Sequence, residues 1–260
     1  MRALDVAATG MQAQQTNVQV IANNIANMTT TGFKRSRVEF QDLLYQDLSR
    51  PGSNSSASGT IIPTGTQIGL GVRTAGVYRI DQQGNLQQTS NSLDLAISGN
   101  GWFQVTLPSG QTAYTRDGTF ALAPDGTIVT SDGYVVQPGI QIPTNATNVT
   151  INSAGQVQVS ISGQTAPQTV GQLQLATFPN DAGLAAQGGN LFVQTAASGD
   201  PVTGVPSAPG FGQVMQGFVE NSNVNVVSEI TDLITAQRAY EMNSQVITTA
   251  NQMMSTLTHL

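Results

Sequence analysis

The sequence predicts an α+β fold: long N- and C-terminal α-helices packed together as a coiled-coil-like pair, flanking a central, mostly antiparallel β domain. Three observations carry this. Apolar residues recur at alternating spacings of four and three near both chain ends. The stretch between is rich in β-branched residues and turn dipeptides. The helical stretches lie roughly 200 residues apart, so they pair only if the β domain brings its own ends together. The expected layout is an N-terminal helix in 1–30, a connector with an extended arm or hairpin in 31–71, a β domain in 72–220 and a C-terminal helix in 221–260.

At the N-terminus, Leu4, Ala8, Met11, Gln15, Val18, Ala22 and Ile25 form the seam, and Ala7 and Ile21 widen it. The run Thr29–Thr31 disfavours helix and Gly32 ends it. A helix over residues 3–27 spans roughly 37 Å at 1.5 Å per residue. The C-terminal seam runs through Val226, Ile230, Leu233, Gln237, Tyr240, Ser244, Ile247, Asn251 and Met254, with Val227, Ile234, Ala250 and Leu257 beside it. Ser228 is the expected N-cap. The polar seam residues Gln237, Ser244 and Asn251 weaken the seam and fix its register. Pattern alone leaves two readings open: an internal helix pair, or a contact between subunits.

The connector from Phe33 to Gly71 holds an apolar patch, Phe40, Leu43, Leu44, Tyr45 and Leu48, that fits helix or strand. A loop-like Pro/Gly/Ser stretch follows from Arg50 to Gly59. Beyond it, alternation in Gln156–Ile161 and Gln172–Leu175 marks strands, and Trp102–Val105 reads as another. Asp117-Gly118, Asp125-Gly126 and Asp132-Gly133 each signal a hairpin. Residues 196–210 read as a long loop, and eight to twelve short strands are expected in the β domain.

Composition excludes several functions. Charged residues are 9% of the chain, against roughly 25% in ordinary globular proteins, so the surface is polar but nearly uncharged. A chain with net charge −6 and one small basic cluster, Lys34, Arg35 and Arg37, lacks the charge to neutralise phosphates, so no nucleic-acid partner is expected. That cluster reads as a solvated loop face or a contact with an acidic neighbour. There is no cysteine, which removes disulfides and thiolate chemistry. Asp5, Gln12, Gln14 and Gln15 interrupt any apolar signal core, and no stretch suits membrane insertion. The sole histidine, His259, stands next to last, a poor place for a preorganised base or ligand. Gly99-Asn100-Gly101 leads into a strand, not a phosphate-binding helix. Asp81, Asp94, Asp117, Asp125 and Asp132 are read as solvated turn residues before a glycosidase pair. No catalytic residue, metal site or cofactor is expected.

Three segments in order carry a resemblance. Ala22–Lys34, including Asn23, Asn24, Asn27, Gly32, Phe33 and Lys34, closely resembles the N-terminal signature of the bacterial flagellar rod and hook family. Ser98–Phe103 followed by Tyr114–Phe120 is similar to a second family motif. Glu220–Asn225 with Asn223, and Gln237–Asn243 with Arg238, Tyr240 and Asn243, resemble the third. The resemblance implies a non-enzymatic subunit, exported unfolded by the flagellar type III apparatus without a cleaved signal. Such subunits build a helical homopolymer whose terminal helices form inner tubes. It implies contact with proximal rod proteins, the hook protein and the P-ring and L-ring bushing, in a rod crossing the periplasm to the outer membrane and transmitting torque. The seam residues Leu4, Ala8, Met11, Val18, Ala22, Ile25, Val226, Ile230, Leu233, Tyr240, Ile247 and Met254 then become subunit contacts. Length and the Tyr45–Gly71 segment resemble the distal rod branch, with proximal rod and hook-type subunits as alternatives. There, residues 46–65, with Gln46, Pro51, Gly52, Gly59 and Gly65, are expected to stiffen the rod. A secreted β-rich adhesin is the rival of a different class.

Overall fold

A computed structural model describes residues 2–49, 64–164 and 166–258. The chain divides into two compact units. One comprises the chain up to Ala26, Ser36–Tyr78 and the chain from Asn225 on; the other comprises Asn27–Arg35 and Arg79–Val224.

The first unit contains helices α1 (Arg2–Ala26) and α2 (Val226–Thr258) and strands β1 (Ser36–Asp42), β2 (Tyr45–Ser49), β3 (Thr66–Gly69) and β4 (Val72–Arg79). The helices run antiparallel: Asn24 bonds Glu229, and Gly10 stands against Asn243. The start of α2 corrects the expected cap. Asn225, not Ser228, accepts from the Val227 and Ser228 amides at 3.1 and 3.3 Å. Asparagine caps as well as serine and stands directly before the first helical residue.

The predicted seam is displaced in part. On α1 the buried residues are Ala7, Ala13, Ile21 and Asn24, with Gly10, Gln14 and Asn17 half-buried among them; Ala7 and Ile21 are the residues expected to widen the stripe. On α2 the inward line is Glu229, Leu233, Ala236, Asn243, Ile247 and Ala250, of which Leu233 and Ile247 belong to the expected seam and Ala250 lies beside it. Ala8, Ala22, Ile230, Tyr240 and Met254 are exposed, and Leu4, Met11, Val18, Ile25 and Val226 are half-buried. Small residues explain the shift. A Cβ on Gly10 would lie 2.9 Å from the Asn243 amide, so the helices approach where side chains are short, not where they are most apolar.

The undecided patch is strand, not helix. β1 pairs with β4, and β2 with β3 in antiparallel register, Tyr45 opposite Gly69 and Gln46 opposite Ile68. Pro51, Gly52 and Gly59 lie outside the described residues, as does His259.

The second unit holds sixteen described strands, more than the eight to twelve expected, because glycine-bearing turns cut them to between two and six residues. They are β5 (Leu86–Gln88), β6 (Leu95–Ser98), β7 (Trp102–Thr106), β8 (Thr112–Thr115), β9 (Phe120–Leu122), β10 (Ile128–Thr130) and β11 (Val135–Val136), then β12 (Ala146–Ile151), β13 (Gln156–Ile161), β14 (Gln168–Gln172), β15 (Leu175–Thr177), β16 (Ala185–Gly188), β17 (Leu191–Val193), β18 (Val202–Gly204), β19 (Gln213–Gln216) and β20 (Phe218–Glu220). The predicted loop 196–210 thus contains a strand, β18, on β15. A nine-stranded sheet runs β16-β17-β8-β7-β11-β10-β9, with β15 also on β7. Smaller sheets are β12-β13-β14, β6-β19 and β5-β20.

Alternation along β7 builds two layers. Phe103 and Val105 join the main core with Leu95, Ile128, Val157, Val159 and Leu175. Trp102 joins a second cluster with Tyr114, Ala176, Phe178 and Leu184. Two of the three Asp-Gly pairs turn hairpins: β9 to β10 through Gly126 (φ +82°) and β10 to β11 through Gly133 (φ +85°). Asp117-Gly118 does not. The Leu95 amide donates to the Gly118 carbonyl at 3.0 Å, and a Cβ on Gly118 would collide with the Leu95 carbonyl. The glycine serves close backbone approach.

Candidate functional site

The motif residues build two buried polar clusters, one in each unit. In the second unit, Lys34 is the chain's only lysine. Its Nζ donates to Glu220 Oε1 at 2.5 Å and to the Gln82 carbonyl at 2.9 Å, and both side chains are 1% exposed. Arg116 Nη1 lies 3.4 Å from Glu220 Oε2, while Nη2 donates to the Gly99 carbonyl at 2.7 Å. The Arg116 guanidinium sits 5.7 Å from the Trp102 ring centroid. Glu220 Oε1 also accepts the Gly84 amide at 2.9 Å, and the Glu220 carbonyl accepts the Gly32 amide at 2.7 Å. Gly32 has φ +69°, and a Cβ there would approach the Asp117 nitrogen to 2.8 Å, so no other residue fits without strain.

Asn223 completes this cluster. Its Oδ1 accepts the Arg35 amide at 2.8 Å, and its Nδ2 donates to the carbonyls of Ile80 and Gln82 at 2.9 Å. One asparagine thereby ties the segment before Ser36 to the segment after Arg79. Burial pulls the Lys34 ammonium below its ordinary value of 10.5, Glu220 opposes that, and Arg116 adds to it. Burial likewise lowers Arg116, offset by Glu220, Asp181 and Asp81. Glu220 is shared between two cations, so removing it would leave two buried charges without their partner.

In the first unit Asn24 closes α1 onto β1. Its Oδ1 accepts the Ser36 amide at 2.9 Å, and its Nδ2 donates to the Ser36 carbonyl at 2.8 Å and to Glu229 Oε2 at 3.1 Å. This bidentate grip makes Asn24 a replacement for a strand neighbour.

Several expectations change here. The Lys34-Arg35-Arg37 cluster is not one solvated face: Lys34 is buried on Glu220, and only Arg37 is exposed, beside Glu39 at 3.2 Å. Glu220, Arg116 and Glu229 were not singled out from sequence. The available signal was scarcity, since a charge-poor chain that keeps a single lysine has placed it deliberately. Asn24, Gly32, Lys34 and Asn223 hold the fold. Phe33 and Asn27 are half-buried, Asn243 lies against Gly10, and Asn23, Arg238 and Tyr240 are exposed. The carboxylates have local duties: Asp81 pairs with Arg79 at 2.8 Å, Asp94 accepts from Asn91, and Asp117 and Asp125 bond Thr119 and Thr127 two residues on. Among the described residues there is no group of three or more His, Cys, Asp or Glu suited to a metal ion.

The other notable feature is exposed apolar surface on the first unit. Val227 (76%), Ile230, Ile234, Met242, Val246 and Met253 stand exposed on α2, and Leu44 (83%), Tyr45 and Leu48 on the connector. Apolar surface this extensive marks an interaction face.

Comparison with known proteins agrees. Three family descriptions match: "Flagella basal body rod protein" over residues 4–34, "Flagellar hook protein FlgE/F/G D1 domain" over 96–159, and "Flagellar basal body rod FlgEFG protein C-terminal" over 215–260. The chain belongs to this family of flagellar rod and hook proteins. Within it, the chain is 60% identical over 260 residues to the flagellar basal-body rod protein FlgG of Caulobacter vibrioides, spanning 100% of this chain and 99% of that protein. In Bacillus subtilis it is 40% identical to FlgG, over 100% of this chain and 99% of that protein, but 29% identical to the flagellar hook-basal body complex protein FlhP, over 98% and 97%. The FlgG branch is favoured over a sister within one organism.

Proposed function

We propose that this chain is the structural subunit of the flagellar distal rod, a helical homopolymer that carries torque from motor to hook. The observation that carries the reading is full-length similarity to FlgG relatives at 60% identity. The exposed apolar side chains of α2 and the connector support it, because they need neighbours and a single copy leaves them in water. A heterologous contact that does not close on itself generates a filament.

The terminal helices supply the inner tube. Ile230, Tyr240 and Met254, exposed in the single chain, and the half-buried Leu4, Met11 and Val18 meet neighbouring copies there, completing a coiled-coil-like seam. The connector hairpin between Gln46 and Gly65 stiffens the polymer. Proximal rod proteins and the hook protein cap its ends, the P-ring and L-ring surround it, and the type III export apparatus delivers it. The full-length chain, concentrated and viewed by electron microscopy, should form straight filaments. Replacing Ile230, Met242 and Val246 together by serine should leave it monomeric by sedimentation at the same concentration. Filaments of unchanged length from that variant would overturn the helix-face reading.

A further inference from the structure

One stripe of α2 carries a chemistry that packing alone does not use. The chain has no cysteine, so its seven methionines hold all of its sulfur. Met242 and Met253 are the most exposed of the described methionines, at 64% and 52%. Met11 and Met215 are half-buried. Met242, Val246, Thr249 and Met253 follow spacings of four, three and four along α2, so they share one face. They line a groove of about 390 Å³, which Gln245, Ala250 and Ala3 of α1 complete.

Both thioethers are therefore open to oxidants in the free subunit. With hydrogen peroxide, a sulfur lone pair attacks one peroxide oxygen and the O–O bond breaks. That oxygen stays on sulfur, its proton passes to the departing hydroxide, and water leaves. Sulfur is oxidised by two electrons and the peroxide is reduced. The product puts a polar sulfoxide where a soft apolar atom stood. Its oxygen needs a donor wherever water is excluded. The groove supplies few. Thr249 Oγ1 already donates to the Gln245 carbonyl at 2.8 Å, and the side chains of Val246, Ala250 and Ala3 have no proton to give. Among the residues lining the groove, only the Gln245 amide keeps donors. A neighbouring copy packed on this face would bury two new acceptors against that single group.

We propose that Met242 and Met253 are a reversible oxidation site for peroxide-class oxidants, and that their sulfoxide forms keep a subunit out of the polymer. The proposal rests on the helix-face contact proposed for assembly. The test treats the full-length monomer with limiting hydrogen peroxide, maps the sulfoxides by peptide mass spectrometry, and measures the critical concentration for filament formation by sedimentation. Met242 and Met253 should be oxidised before Met11 and Met215, and the critical concentration should rise about tenfold. Methionine sulfoxide reductases for both sulfoxide epimers should bring it back. After partial oxidation, chains carrying both sulfoxides should collect in the unassembled fraction. The double variant Met242→Leu, Met253→Leu nearly conserves volume and should show the same critical concentration with and without peroxide. Should that variant fail to assemble, the partition of wild-type sulfoxides decides alone. An unchanged critical concentration in oxidised wild type would overturn the proposal. So would sulfoxides spread evenly between the fractions, or a peroxide effect of equal size in the double variant. Untreated chains that form no filaments would instead overturn the assembly reading, and this proposal with it.

Discussion

At the residue scale, a few of the chain's sparse charges are buried: Lys34, Asp94, Arg116, Glu220 and Glu229. Glu220 holds Lys34 and Arg116 together in a fully buried site, so its loss is costly. Glu220→Gln should destabilise the chain by about 3–5 kcal/mol, because two buried cations then face a neutral amide. Lys34→Met removes one cation and leaves Glu220 with Arg116, so it should cost less; denaturant titration of both variants decides the order. Lys34 also sets a pH dependence. Its folded value is lowered by burial, so between that value and 10.5 the unfolded chain binds the extra proton. The contribution is fully present above 10.5 and lost as pH falls through the lowered folded value. Relative to Lys34→Met, the wild type should therefore gain stability as pH rises from the lowered folded value to 10.5. A constant difference across that range would contradict the burial account.

At the scale of elements, α1 and α2 were legible because apolar spacing survives any detail of packing, whereas the line along which they touch was not. Periodicity weighs Leu, Ile and Met; the contact is made by Ala7, Gly10, Ala236 and Ala250, whose merit is being small. The same limit hid Gly118, which resembles its hairpin neighbours at Gly126 and Gly133 but serves Leu95 instead. Lys34–Glu220 joins residues 186 positions apart, and spacing within a motif carries no sign of such a pairing. The β2–β3 hairpin yields a prediction of its own. Deleting Pro51–Gly59 should leave the Tyr45–Gly69 register in place and give filaments that curve or bend more than wild type by electron microscopy.

For the whole molecule, division of labour between the two units is the testable claim. The second unit holds the main core, the second aromatic cluster and the Glu220 site. The first exposes a long apolar α2, and isolated helix pairs bury little on their own. Removing residues 1–27 and 226–260 should leave a folded, soluble β protein that sediments as a monomer. Hydrogen exchange in the intact monomer should be fast in α1 and slow in β7 and β13.

The solitary lysine has a practical consequence. Apart from the α-amino group, the chain owns one primary amine, and folding seals it against Glu220. Amine-acylating reagents should therefore spare Lys34 in folded chains and modify it in those whose β unit has opened. A single mass increment on Lys34 would count unfolded molecules in a mixed population, with no probe introduced from outside.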